Sequence, residues 1–148
     1  MRKFICFVSM ALVLISGASC SSVPQKEAAT AECDSAQKAM QIGCSMLEAF
    51  GKGNYEEFAR QLPAGLKKEF TSDAFDTGVK QITDSAGKMV KFRYLGALNG
   101  PVFTNYLWAV EFSRDSKSSG KVVQELLFKL TMAKADNSFQ VTSFGFML

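Results

Sequence analysis

Histidine is absent from the 148 residues of this chain. That removes the side chain most used as a general base near neutral pH and the commonest protein metal ligand. Proline is scarce, at three residues, and tryptophan appears once. The glycines are dispersed, and none lies in a strand–GxGxxG–helix setting, so no phosphate-cradling loop is recognisable. An excess of one charge is missing too: 17 basic residues face 14 acidic ones. In the body of the chain no basic run exceeds Lys67-Lys68. Nucleic-acid binding draws on a clustered basic face, so it is not expected here. The apolar run from Phe4 to Ile15 falls short of the about 20 residues that cross a bilayer. Neither a cofactor nor a metal site is expected from this composition.

What the first twenty residues do contain is ordered. Met1-Arg2-Lys3 forms a cationic head, the apolar run follows, and Ser16-Gly17-Ala18-Ser19 provides small residues at the exit. This is the order of a secretory signal peptide, assigned to residues 1–19. Cys20, directly after the small residues, resembles the cysteine of the bacterial lipobox, with Gly17 where leucine is usual. The resemblance implies a palmitate-bearing lipoprotein anchored to a membrane of the cell envelope through Cys20. Several acyl chains hold a protein on a membrane where a single chain does not. Ser21 stands where an aspartate would retain the protein in the inner membrane, which points to the outer membrane. A soluble periplasmic product is the alternative. Residues 20–33 are read as lipid attachment and flexible spacer, because Ser21 to Thr30 buries too little apolar surface to offset the entropy of ordering.

Four cysteines are present, but Cys6 lies in the signal and Cys20 is assigned to lipid. If Cys33 and Cys44 share one helix, a rise of ~1.5 Å per residue puts them ~16 Å apart. A disulfide needs Cα atoms within ~7 Å, so an intrachain bridge is not expected. Cys44 reads as a small buried hydrophobe.

Residues 34–148 read as a single domain. Asp34 and Ser35 suit a helix cap, and apolar positions then recur at Ala36, Ala39, Met40, Gly43, Met46, Leu47 and Phe50. Gly51 and Gly53 stop that helix, Asn54 caps a second over Tyr55 to Gln61, and Pro63 ends it. A helical turn through Leu66 and Phe70 follows, then a third helix opens at Thr71-Ser72-Asp73. From Lys88 the period changes to two. Val90, Phe92 and Tyr94 share one side of a strand, and Asn99-Gly100 marks a hairpin. Thr104, Tyr106, Trp108, Val110 and Phe112 share a face of the next strand. Val122, Gln124, Leu126, Phe128, Leu130 and Met132 do so in the third. A last strand runs from Phe139 to Leu148. Helices followed by a four-stranded antiparallel meander make an α+β domain, with the helices packed on one face of a curved sheet.

The stretch Phe50-Gly51-Lys52-Gly53-Asn54-Tyr55-Glu56-Glu57-Phe58, then Leu66 to Phe70 and Phe75, resembles small secreted bacterial members of the nuclear-transport-factor-two-like superfamily. The resemblance implies a cone-like fold shared with ketosteroid isomerases and scytalone dehydratase. That superfamily hosts enzymes as well as binding and dimerisation modules, and fold alone does not choose between them.

The inward face offers Tyr94, Tyr106, Trp108 and Gln124, which are expected to line a cone mouth for a small apolar ligand, together with Thr104 and Ser143. None of these groups is a base near neutral pH. Glu111 and Glu125 fall on the opposite face by the period-two rule. Asp76 and Asp84 read as solvent-facing. Leu95, Phe103, Leu107 and Leu127 lie on that opposite face among charged residues and are expected to form a partner surface, for a homodimer or an envelope protein. The sequence therefore points to a non-catalytic binding or dimerisation domain of an envelope lipoprotein. A cofactor-free lyase or isomerase, drawing an acid from a helix, is the alternative.

Overall fold

The first helix, α1, spans Gln25–Lys52 and begins ahead of the expected cap at Asp34. Glu27-Ala28-Ala29-Thr30-Ala31 explains the earlier start, because alanine and glutamate are strong helix formers and no breaker intervenes. The segment expected as a flexible spacer is therefore helical from Gln25 onward. The computed structural model describes the backbone at residues 25–116, 118, 120–135 and 138–147. Cys20 and the signal peptide lie outside the described residues. Cys33 and Cys44 both sit on α1, where Cys44 is a half-buried free thiol.

α1 ends in a Schellman turn: Asn54 N–H donates to Ala49 O at 2.9 Å and Gly53 N–H to Phe50 O at 3.0 Å. Gly53 has φ +64°, the left-handed conformation that this closure needs. Asn54 then caps α2 (Tyr55–Arg60), its side chain accepting from Glu57 N–H at 3.2 Å. Pro63 separates α2 from α3 (Ala64–Glu69), and Thr71 caps α4 (Ser72–Ala86). Rings of Phe58, Phe70, Phe75 and Phe144 pack on one another with centroids 5.0–6.4 Å apart, joining these short helices to the end of the sheet.

The sheet is an antiparallel meander in the order β1 (Lys88–Asn99), β2 (Phe103–Ser116), β3 (Gly120–Ala135) and β4 (Ser138–Met147). The α+β architecture of helices ahead of one antiparallel sheet is as expected. Its core lies on one face, where Trp108, Val110, Phe112, Phe128, Leu130 and Met132 meet Ala39, Met46, Leu47 and Phe50 of α1 and Phe75 of α4. We call this the inner face.

Irregularities in the ladders change which residues point inward. β1 shifts register between Met89 and Lys91 and again between Tyr94 and Gly96. Val90, expected inside, is thereby expelled and is 52% exposed, while Met89 packs against the core in its place. Between β3 and β4 the register shifts again, so that Ser143 pairs with outward-facing Thr131. Ser143 is exposed, not inward as expected. One extra residue inverts the alternation on one side of a bulge, which a strict period of two does not capture.

Candidate functional site

The aromatic row of the inner face holds the residues of the expected ligand site. Tyr106, Trp108, Val110 and Phe112 alternate inward on β2 and are all buried. Trp108 has no exposed surface, and α1 reaches it through Gly43, where any Cβ would collide with the indole ring. The helix thus rests on the indole and leaves no room for a ligand there. The indole Nε1 is buried without a hydrogen-bond partner. Leaving such a donor unpaired costs about 1–3 kcal/mol, so Trp108 is held by packing rather than by polar contact.

Tyr94 lies edge-on to Trp108, centroids 5.3 Å apart, and remains 38% exposed. Tyr106, on the other side, is close to Ser35 of α1. Burial pushes the Tyr94 hydroxyl above the usual phenol range. Burial also raises Tyr106, the neighbouring Tyr94 adds to the effect, and a hydrogen bond with Ser35 opposes it. Both phenols therefore stay protonated at neutral pH and act as donors, not bases. Gln124 does not join them. It pairs with Phe112 and stands four residues along β3 from the Trp108 partner Phe128, about 13 Å away at the strand rise. Three of the four expected ligand residues are contiguous; the fourth is not. Of the three, Tyr106 lines a cavity of about 280 Å3 at the β1–β2 hairpin end, with Ser35, Asn99, Pro101 and Thr104.

Carboxylates are not part of this region. Among the described residues no charged side chain is buried. Asp76 and Asp84 are exposed, and Asp84 pairs with Lys80 on α4. No group of His, Cys, Asp and Glu among the described residues is placed to hold a metal. Nor is any described helix long and apolar enough to cross a membrane.

The outer face of the sheet is a second candidate. Glu111 and Glu125 lie directly opposite each other across β2 and β3, as the alternation predicts. Lys91 pairs with Glu111 at 3.0 Å and Arg93 with Glu125 at 3.3 Å, which offsets the like-charge juxtaposition. Toward the hairpin end the same face turns apolar. Leu98 is 63% exposed and Phe103 48%, and Leu107 and Leu127 are half-buried in adjacent rows. Met147 faces Leu127 from β4. Leu95 is also exposed, at the second irregularity of β1. The expected partner residues Phe103, Leu107 and Leu127 thus share one surface, with Leu95 at the β1 edge. Asn105 and Thr131, hydrogen-bonded at 2.8 Å, are its polar centre.

Two features were missed in the sequence. Phe50, Phe58, Phe70, Phe75, Phe144 and Phe146 surround a void of about 220 Å3 between α4 and β4. A wider cleft of about 610 Å3 lies where α1, the end of α2 and the start of β4 converge. Its α1 residues Lys38, Gln41, Ile42 and Ser45 recur at helical spacing, which was legible; the arrival of β4 beside them was not.

No protein-family model and no curated protein matches the sequence. Solved structures do. One is a SEC-C motif containing protein from Rhodopseudomonas palustris, 10% identical, with 67% of this chain and 70% of that chain covered and a TM-score of 0.44. A chain named Rd1NTF2_05 with five substitutions is 13% identical over 78% of this chain and 99% of its own, with a TM-score of 0.47. An NTF-2 like protein of unknown function from Shewanella oneidensis is 12% identical over 71% and 92%, with a TM-score of 0.41.

Proposed function

We propose that this chain is the non-catalytic association domain of an envelope lipoprotein, and that its outer sheet face meets a second copy of itself. The observation that supports this is the apolar strip of the outer face, where Leu98 and Phe103 are exposed and Leu107 and Leu127 half-buried. Exposed strips of this kind mark contact surfaces more often than isolated apolar side chains do. The charges beside it argue for self-association. A two-fold interface must be complementary to itself, and here Lys91–Glu111 and Arg93–Glu125 are already neutralised within one chain. Lys129, paired with Leu107 across β2 and β3, adds a cation beside the strip that a second copy must accommodate.

Replacing Leu107 by arginine puts a charge in the middle of the strip. Light scattering of the purified full chain should then fall from the mass of two chains to that of one. An unaltered mass would remove this reading. The lipid anchor is a separate part of the proposal and rests on the residues around Cys20. Cells fed a labelled fatty acid should label the native protein and not the Cys20→Ser variant; a labelled variant contradicts the anchor. The lyase or isomerase alternative draws no support from the geometry, since among the described residues no carboxylate is buried.

A further inference from the structure

The cleft between α1, α2 and β4 differs in chemistry from both sheet faces. Lys38 and Gln41 enter it from α1, and Arg60 and Gln61 from the end of α2. Ile42 and Leu62 supply apolar wall beside them. Two cations and several amide groups line the cleft, and among the described residues no carboxylate does. Among the described residues Lys80, Lys91 and Arg93 each meet a carboxylate, while Lys67, Lys68, Lys88 and Lys129 at the surface do not. Lys38 and Arg60 have no such partner among the described residues.

The volume of about 610 Å3 falls within the range of about 300–1,000 Å3 typical of small-ligand sites. Guanidinium and ammonium groups recognise carboxylate and phosphate oxygens through charge-assisted hydrogen bonds, and the amides add neutral donors. The apolar wall would be wasted on a bare inorganic anion. We propose that this cleft binds a small amphipathic anion, a carboxylate or phosphate head on a short apolar tail. The head lies between Lys38 and Arg60, and the tail runs along Ile42 and Leu62. The site is distinct from the Tyr106 cavity, though Phe139 borders both, and it does not depend on the outer face pairing with a second copy.

The test is calorimetric titration of the purified full chain with octanoate, octyl phosphate, octanol and inorganic phosphate, each below the concentration at which it forms micelles. At least one octyl anion should bind with one site per chain. Octanol and inorganic phosphate should each bind about tenfold more weakly or worse, the scale of a lost charge-assisted hydrogen bond. The double variant Lys38→Gln, Arg60→Gln alters only exposed side chains and should keep the circular dichroism spectrum and melting temperature of the native protein. It should lose about tenfold in affinity for the anion. Absence of binding by both octyl anions, equal binding of octanol or inorganic phosphate, or an unchanged affinity in the double variant would each overturn the proposal.

Discussion

The two faces of this sheet are made from the same strands, yet they solve opposite problems. On β2 the even-numbered residues Tyr106, Trp108, Val110 and Phe112 are sealed beneath α1 and α4, while the odd-numbered Phe103, Leu107 and Glu111 look the other way. Around Trp108 the inner face is packed so closely that a helix glycine is needed to admit the indole. The outer face keeps large aliphatic side chains in water. Burial of such side chains contributes about 1.5–3 kcal/mol each, so their exposure forgoes stability that a partner would recover. The inner face holds the molecule together, and the outer one carries the strip proposed for contact.

Substitutions sharpen that contrast because their costs should differ by face. Trp108→Ala should be the most damaging, removing about 3–5 kcal/mol of stability in a denaturant titration. A loss below about 1 kcal/mol would mean that the inner face is not packed as described. Gly43→Ala comes next. Its methyl group must displace either α1 or the indole, and overpacking of this kind costs about 1–3 kcal/mol despite the better helix propensity of alanine. Stabilisation by Gly43→Ala would show that the helix does not rest on Trp108.

Tyr106 gives a smaller and pH-dependent effect. Its hydroxyl is raised above the usual phenol range by burial, so the folded state retains that proton where the unfolded chain, with a pKa of about 10, releases it. Its contribution is complete below pH ~10 and is lost as the pH climbs through the folded value. Stability should stay level between neutrality and that point on this group's account and then decline, and Tyr106→Phe should make the decline shallower. An identical alkaline slope in the variant would contradict the burial of this hydroxyl. Smallest of all is Arg93→Ala on the outer face. The pair with Glu125 is exposed, and pairs of this kind are worth under about 1 kcal/mol, less at high salt. A larger loss would indicate that the outer face has a structural role of its own.

How much of this was legible beforehand depended on which physical rule set each residue's place. Strict alternation located Tyr106, Trp108 and Phe112 inside and Glu111 and Glu125 outside, because β2 and β3 pair without a slip. It failed at Val90 and Ser143, where a bulge adds one residue and inverts everything beyond it. Caps at Asn54 and Thr71 were readable from side-chain chemistry alone. The start of α1 was not, because a short polar stretch is compatible with a spacer until alanine-rich helix propensity is weighed against it. Of the expected ligand residues, Gln124 shares a face with Tyr106 but not a neighbourhood; a period locates a face and says nothing of distance along the strand. The cleft beside Lys38 and Arg60 needed the third dimension, since its walls come from segments far apart in the chain.

The contrast between the faces is tested most directly by the solution mass of the full chain, measured by light scattering for the native protein and for Leu107→Arg side by side. Pairing through the outer face predicts two chains for the native protein and one for the variant, with the same circular dichroism spectrum in both and a lower unfolding midpoint in the variant, because association stabilises the folded state. A native protein that is already a single chain, or a variant that keeps the native mass, would contradict it.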